Sequence, residues 1–273
     1  MVDCPACGYR PAPVDDVLAF APELADDEQD FDRAGFARLA RIESGNYWFE
    51  SRNRLVAWAL RRYFPAARSF FEAGCGTGFV LAGIHAACPD LAVAGGEMSL
   101  EGISHARRRL PGVPLFQMDA RNMPFTAEFD VVGSFDVLEH IDQDEAVMAE
   151  MFRAVKPGGG AIVTVPQHPW LWSPLDDVSR HKRRYTRLDM VGKLARAGWQ
   201  VVRATSFVSA LAPLMFLARA RTRQSARPPS DELDVPRALN AALGAALGVE
   251  RGLIRAGLSF PVGGSLLVVA AKR

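Results

Sequence analysis

Short apolar runs alternate with helical patterns from residue 68 onward, and this alternation constrains the fold more than any other feature. Runs bounded by Gly, Pro or acidic residues predict strands over 69–73, 91–95, 113–117, 129–134, 160–165, 199–204 and 265–271. Apolar stripes predict helices over 80–87, 100–109 and 144–155, and a capping box at Thr186 and Asp189 predicts another that ends at Gly198. Strands joined by crossover helices form a parallel sheet covered on both faces. We therefore expect an α/β protein with a doubly wound, mostly parallel sheet.

The rest of the chain is divided into segments around this core. We expect a cysteine knuckle and acidic connector over 1–35, a helical lid segment over 36–66 and the core over 67–206. An apolar helical insertion over 207–263 then precedes the last strand, over 264–273. The run 207–218 is apolar on all faces, so it cannot be a free surface helix. Arginines follow it at once, namely Arg219, Arg221, Arg223 and Arg227.

Charge and hydropathy exclude several classes of partner and location. The net charge of +1 over 273 residues lacks the basic excess of nucleic-acid binders, so no nucleic-acid partner is expected. The run 207–218 is shorter than the about 20 residues that cross a bilayer. Residues 1–10 contain no apolar run typical of a signal peptide. We expect a cytoplasmic protein with reduced thiols.

Two cysteines near the start of the chain, Cys4 and Cys7, form a C-x-x-C pair that resembles half of a zinc ribbon. Structural zinc takes four ligands, and the first histidine in the chain is only His85. A knuckle without metal is therefore favoured, and a zinc site shared between two chains is the alternative.

A glycine-rich turn joins the first core strand to its helix in the stretch FFEAGCGTG, 70–78. Glycine allows a sharp turn and close approach of the backbone to a ligand, and doubly wound sheets bind ligands at this edge. Dinucleotide sites use G-x-G-x-x-G, whereas Gly74, Gly76 and Gly78 give G-x-G-x-G. The preceding Glu72 would repel a phosphate and attract the ammonium group of a methionine moiety. A glycine-rich turn alone does not decide the ligand, so the residues after the following strands are needed.

Polar residues follow each of the next strands. Glu97 is placed to accept hydrogen bonds from both ribose hydroxyls, and Asp119-Ala120 suits an adenine amino group, although Asp119 could instead cap a helix. SFDVLEH, 134–140, follows the fourth strand, and KPGG, 156–159, precedes the fifth.

Together these elements resemble the class I S-adenosylmethionine (SAM)-dependent methyltransferase superfamily over about residues 47–204 and the last strand. The resemblance implies a seven-stranded sheet of order 3-2-1-4-5-7-6 with the last strand antiparallel. It implies SAM as the cofactor, bound by Glu72, Gly74, Cys75, Gly76, Gly78, Glu97, Met98, Asp119, Ala120, Ser134 and Phe135. Cys75 is expected to line the site through its backbone rather than act as a nucleophile.

The segment GNYWFESR, 45–52, resembles the lid found before the core in one branch of this superfamily. Trp48 would then cover SAM, and Arg52 would meet the methionine carboxylate. The alternative is that Trp48 and Phe49 simply pack the helix onto the sheet.

Three histidines are candidates for the general base of methyl transfer, because imidazole titrates near neutral pH. His168 and His140 are preferred, and His181 is also a candidate. Trp170, Trp172, His181 and Tyr185 are predicted to contact the acceptor. Asp136, Glu139 and His140 resemble the E-x-x-E-H cluster of ubiquinone-pathway O-methyltransferases, which can hold a divalent metal. An Asp at the first position shortens the reach, so a metal is not favoured.

The favoured function is methyl transfer to a small lipophilic or aromatic acceptor, directed to oxygen. A non-catalytic SAM-binding interaction protein and an NAD-dependent oxidoreductase are the alternatives. We expect the insertion, 207–263, to wall the acceptor pocket beside Trp170 and Trp172. Its alternatives are a larger core, a homodimer interface or peripheral contact with a membrane.

Overall fold

The computed structural model describes residues 11–25, 33–216 and 235–273. Cys4, Cys7 and the arginines from 219 to 227 lie outside the described residues. The strands are β1 (Ala12–Val14), β2 (Val17–Ala19), β3 (Ser69–Ala73), β4 (Ala92–Glu97), β5 (Leu115–Gln117), β6 (Phe129–Phe135), β7 (Val155–Pro166), β8 (Gln200–Phe207) and β9 (Ser265–Ala271). The helices are α1 (Arg33–Ile42), α2 (Tyr47–Tyr63), α3 (Phe79–Ala87), α4 (Leu100–Arg109), α5 (Asp144–Ala154), α6 (Pro174–Val178), α7 (Arg187–Arg196) and α8 (Arg237–Arg255).

The strands form one sheet of order β1-β2-β5-β4-β3-β6-β7-β9-β8. Pairing is parallel from β2 to β7, while β9 is antiparallel to both β7 and β8. The mostly parallel α/β sheet is confirmed, but a total of seven strands was wrong, because the described residues alone form nine. The additional strands are the β1–β2 hairpin, which extends the sheet by pairing Leu18 with Phe116 and Ala19 with Gln117.

A buried glutamine holds this hairpin on the sheet. The side chain of Gln117 accepts a hydrogen bond from Ala21 N at 3.2 Å and donates to Ala21 O at 2.8 Å. It also donates to the carbonyl of Met98 at 3.0 Å. A connector was predicted here, because strands of three residues are too short to show an alternating pattern.

Apolar side chains of the sheet alternate between two buried clusters, as the pleat requires. Phe70 of β3 packs in one cluster with Leu60 of α2 and Leu81 of α3. Its neighbour Phe71 packs in the other with Met148 and Met151 of α5. The sheet is therefore buried on both faces, and its carboxyl edge is left for a ligand site.

The insertion begins later than the sequence predicted. β8 continues to Phe207 instead of ending at residue 204, and the first helical turn covers only 212–216 within the described residues. α8 packs on α2, where Asn240 Oδ1 accepts from Tyr47 N at 2.9 Å and Asn240 Nδ2 donates to Gly45 O at 2.9 Å. Within the described part of the chain, no helix has the length and apolar character needed to cross a membrane.

Candidate functional site

A cavity of about 780 Å³ opens at the carboxyl edge of the sheet. Its size lies within the range of about 300–1,000 Å³ that is usual for small-molecule sites. Its walls come from α1 and α2, from the ends of β3 to β6, from the loop around α6, and from the insertion, including α8. Segments far apart in the sequence therefore meet around one space.

The near half of the cavity is the part lined by the glycine-rich turn and by Glu72 and Glu97. Gly74 has a φ of +75°, and a Cβ there would lie 2.6 Å from a methyl carbon of Val137. Gly74 N and Cys75 N both donate to the carbonyl of Gly96, at 2.8 and 2.9 Å. Gly78 is the N-cap of α3 and lets α3 approach Ala106 of α4, so it shapes the turn without lining the cavity.

Glu97 stands at the end of β4 with its carboxylate held in place. Its Oε2 accepts from Gly76 N at 2.9 Å and its Oε1 accepts from Ser99 N at 3.0 Å. Desolvation raises the pKa of Glu97, although these backbone hydrogen bonds act against the rise. Met98 lies beside it on the cavity wall.

Glu72 of β3 and Arg52 of α2 are both buried and line the cavity. Glu72 Oε2 has no hydrogen-bond partner, and burial raises the pKa of this carboxyl while the Arg52 charge lowers it. Arg52 is ion-paired with Asp136, and its guanidinium lies 4.7 Å from the centroid of the Trp48 ring. Trp48 and Arg52 both line the cavity, and their contact with SAM stays a prediction.

The remaining residues predicted to bind the cofactor divide into two groups. Cys75, Asp119, Ala120 and Phe135 line the cavity, whereas Ser134 is fully buried in β6 and does not. Burial raises the pKa of the Cys75 thiol, which keeps it protonated and unreactive. Asp119 also accepts hydrogen bonds from the backbone N and the Nε of Arg121, at 2.8 and 2.9 Å. Direct contact of these residues with SAM stays a prediction.

The far half of the cavity is the part lined by Glu139, His140 and His181 and by the insertion. Its two histidines lie close to its glutamate. Glu139 is fully buried, and neither of its carboxylate oxygens has a hydrogen-bond partner. His181 Nε2 lies 3.9 Å from Glu139 Oε1, and its Nδ1 lies 2.8 Å from Asp176 Oδ1. The His140 ring packs edge-on against the His181 ring at a centroid distance of 4.8 Å. Burial, with the His181 and Lys182 charges, lowers the pKa of His140 to about 3.

The candidate metal ligands differ from those that the sequence indicated. Ligand atoms of Glu139, His140 and His181 all lie within 4.8 Å of one another. Asp136, which was considered in place of His181, is instead ion-paired with Arg52 and accepts from Thr164 Oγ1 at 3.2 Å. The set of Asp136, Glu139 and His140 is therefore not the one that the fold brings together.

Four residues predicted for the acceptor side do not line the cavity. The chain turns away at His168, where φ is +62°. The His168 ring stacks on the Trp170 ring with a centroid distance of 5.0 Å. The Trp170 ring packs edge-on against the Phe216 ring with a centroid distance of 5.9 Å. Trp172 Nε1 donates to Asp177 at 2.9 Å. Tyr185 is fully buried, with its hydroxyl 3.0 Å from Leu138 O and 2.7 Å from Asp144 Oδ2.

Asp176 was not predicted from the sequence, and it is buried beside His181 together with Arg184. Arg184 holds Asp176 with two hydrogen bonds, from Nε at 2.7 Å and from Nη2 at 3.0 Å. A signal was available, because Ser173 and Asp176 have the spacing of a capping box and form one at the start of α6. That signal predicts a helix start, whereas the contact with His181 exists only in the folded chain.

Comparison with known proteins agrees with this architecture. Residues 71–163 match the family model described as a methyltransferase domain. A probable S-adenosylmethionine-dependent methyltransferase of Mycolicibacterium smegmatis is 31% identical over 174 residues, covering 61% of this chain and 65% of that protein. The ubiquinone/menaquinone biosynthesis C-methyltransferase UbiE of Desulfotalea psychrophila is 32% identical over 101 residues, covering 36% of this chain and 41% of that one. The chain spans less than two thirds of the length of these curated relatives.

A similar fold occurs in a solved structure. Phosphoethanolamine N-methyltransferase 2 of Haemonchus contortus, in complex with SAM, superposes with a TM-score of 0.59 and 18% identity. The superposition covers 91% of this chain and 60% of that one, and at this identity it shows the fold alone. The segment matched by the family model contains the glycine-rich turn and the strand ends that line the cavity. Residues 71–163 are therefore a methyltransferase domain, and the chain is similar to SAM-dependent methyltransferases over a stretch of 174 residues.

Proposed function

We propose that the protein transfers the methyl group of SAM to a hydroxyl group of a small lipophilic acceptor. The observation that carries this proposal is the continuity of one cavity from the glycine-rich turn to the insertion. Its near half carries Glu72 and Glu97, and its far half carries Glu139 and His181. Beyond these lie apolar side chains, namely Val208, Leu211, Leu214, Met215, Leu239 and Leu243.

The near half fits SAM through groups that the fold already holds in place. The unpartnered Oε2 of Glu72 suits an ammonium group, and the Arg52 guanidinium suits the methionine carboxylate. Glu97 is oriented toward the ribose position by Gly76 N and Ser99 N, and Asp119 suits the adenine amino group. When bound, SAM supplies an electrophilic methyl group on a sulfonium.

The far half supports a lipophilic acceptor that carries a hydroxyl. Its apolar walls favour an apolar body, and its polar groups are concentrated at Glu139, His140 and His181. The relatives named above include a C-methyltransferase and an N-methyltransferase, so they do not decide the atom that is methylated. Direction to oxygen is supported by the imidazole of His181 and the carboxyl of Glu139 on the cavity wall, because a hydroxyl acceptor has a proton to lose.

The first test measures SAM binding by calorimetry. Glu97→Ala should weaken SAM binding at least tenfold, which is about 1.4 kcal/mol, because two charge-assisted hydrogen bonds to the ribose are lost. The exposed Glu128, remote from the cavity, provides the matched control Glu128→Ala, which should bind SAM normally. Unchanged affinity in Glu97→Ala would remove this residue from the cofactor site.

The second test measures methyl transfer from labelled SAM to p-alkylphenols of increasing chain length. Each buried methylene contributes about 0.8 kcal/mol, so KM should fall up to about fourfold per added methylene until the apolar half is filled. The product should be the methyl ether, identified by mass spectrometry. Methylation on carbon, or SAM binding without any product, would contradict the proposed function, and the latter would favour a non-catalytic SAM-binding protein.

A further inference from the structure

We infer that His181 is the general base of this reaction, oriented by Asp176 and assisted by Glu139. The inference rests on the proposed function, because it concerns the proton of the acceptor hydroxyl. Asp176, His181 and Glu139 belong to three different elements: α6, the loop after it, and the 3-10 turn Leu138–His140. None of their contacts depends on a bound ligand.

Asp176 fixes one nitrogen of the imidazole. Its carboxylate is held by Arg184 and accepts from Ser173 N at 2.8 Å, so it cannot swing away from His181. Burial alone would raise the pKa of Asp176, but hydrogen bonds from His181 and Arg184 and the Arg184 charge hold it well below its ordinary value. An ionised carboxylate 2.8 Å from Nδ1 keeps the proton on that nitrogen. The lone pair is thereby assigned to Nε2.

Glu139 lies where its carboxylate can stabilise a positive charge on the imidazole of His181. Its Oε1 lies 3.9 Å from His181 Nε2, and both of its oxygens lack hydrogen-bond partners. Burial, followed by the Asp136 charge, raises the pKa of Glu139. An imidazolium beside this carboxyl favours its ionised form, so the pair stabilises the proton once it has moved to His181. A free oxygen of Glu139 is also available to a second donor of the acceptor.

The two other candidate histidines are less suited to the role. His140 lines the cavity, but its ring packs edge-on against the His181 ring, and it is His181 that Asp176 holds. His168 does not line the cavity, and its ring packs on Trp170. The titratable groups facing His181 are Asp176 from α6 and Glu139 and His140 from the 3-10 turn, while Arg184 acts through Asp176.

The transfer is balanced in atoms and charge. The hydroxyl proton moves to His181 Nε2 while the oxygen lone pair forms the bond to the methyl carbon. The bond between that carbon and sulfur breaks, and its electron pair stays on sulfur as a neutral thioether. His181 returns its proton to solvent after the products leave, so no oxidant, reductant or further reactant is required.

Nitrogen NMR of imidazole-labelled protein tests the orientation without any acceptor. His181 should carry its proton on Nδ1 in the wild type, and Asp176→Asn should lose that preference. Asp177→Asn is the matched control, because Asp177 is the exposed neighbour that binds Trp172. A wild-type His181 with its proton on Nε2 would overturn the inference, even if Asp176→Asn were to destabilise the fold.

Kinetics with p-octylphenol and SAM test the base itself. His181→Gln should lower kcat by about 10²–10⁴ with little change in KM or in SAM affinity. The same substitution outside the cavity, His168→Gln, should leave kcat near the wild-type value. A His181→Gln enzyme that keeps the wild-type kcat would overturn the inference. Wild-type protein that binds SAM but methylates nothing would instead count against the proposed function.

Discussion

The buried carboxyl of Glu139 contributes to the dependence of stability on pH, as do those of Glu72 and Glu97. Burial and the Asp136 charge raise the folded-state pKa of Glu139 above the about 4.3 of an exposed glutamate. Its contribution to folding is therefore complete below that unfolded-state pKa and is lost as pH rises through the folded-state pKa. From about pH 5 to about pH 8, the unfolding free energy should fall more steeply in the wild type than in Glu139→Gln. Urea denaturation measures both slopes, and equal slopes would contradict the prediction.

Two glycines with similar backbone conformations allow the cost of backbone strain to be distinguished from the cost of steric crowding by an added methyl group. Gly74 and Gly112 have φ values of +75° and +83°, but only the Cβ of Gly74 would meet a neighbour, Val137. Gly112→Ala should cost about 1–2 kcal/mol of unfolding free energy from the left-handed backbone alone. Gly74→Ala should cost about 1–3 kcal/mol more, because Val137 has to move. Equal losses in chemical denaturation would show that the turn has room for a methyl group.

At the scale of elements, Asn240 of α8 forms hydrogen bonds with the backbone at the start of α2. Its side chain accepts from Tyr47 N and donates to Gly45 O, both at 2.9 Å. Asn240→Ala should lower the unfolding free energy by about 0.5–1.5 kcal/mol per hydrogen bond lost and speed amide exchange at Tyr47. Asn240→Asp keeps the acceptor and loses the donor, so exchange at Tyr47 should stay slow. Fast exchange in both variants would show that packing, and not the hydrogen bond to Asn240, protects the Tyr47 amide from exchange.

Elements with strong local signals were predictable, and their partners in space were not. The helix expected over 100–109 is α4 at Leu100–Arg109, since Ser99 caps it and apolar periodicity continues to its end. The β1–β2 hairpin was missed because its strands have three residues each. His168 follows the end of β7, and the direction of the chain beyond it depends on the positive φ of His168, which periodicity does not reveal.

For the whole molecule, the sequence located the near half of the cavity better than the far half. The near half depends on residues at strand ends, where a parallel sheet brings successive elements together. The far half is assembled from a loop and an insertion, so its Asp176–His181 contact follows from tertiary packing. The glycine-rich turn, with the residues after the following strands, thus indicated the cofactor, while the groups proposed to act on the acceptor required the structure.

The insertion should set acceptor length without affecting the cofactor. Leu243 lines the far half of the cavity, whereas Val249 of the same helix is exposed and does not line it. Leu243→Phe should shorten the apolar space, so kcat/KM should fall for p-octylphenol and change little for p-ethylphenol. SAM affinity should remain at the wild-type value, and Val249→Phe should behave as wild type with both phenols. If Leu243→Phe lowers kcat/KM equally for the two phenols, or weakens SAM binding, the insertion does not select the acceptor by length.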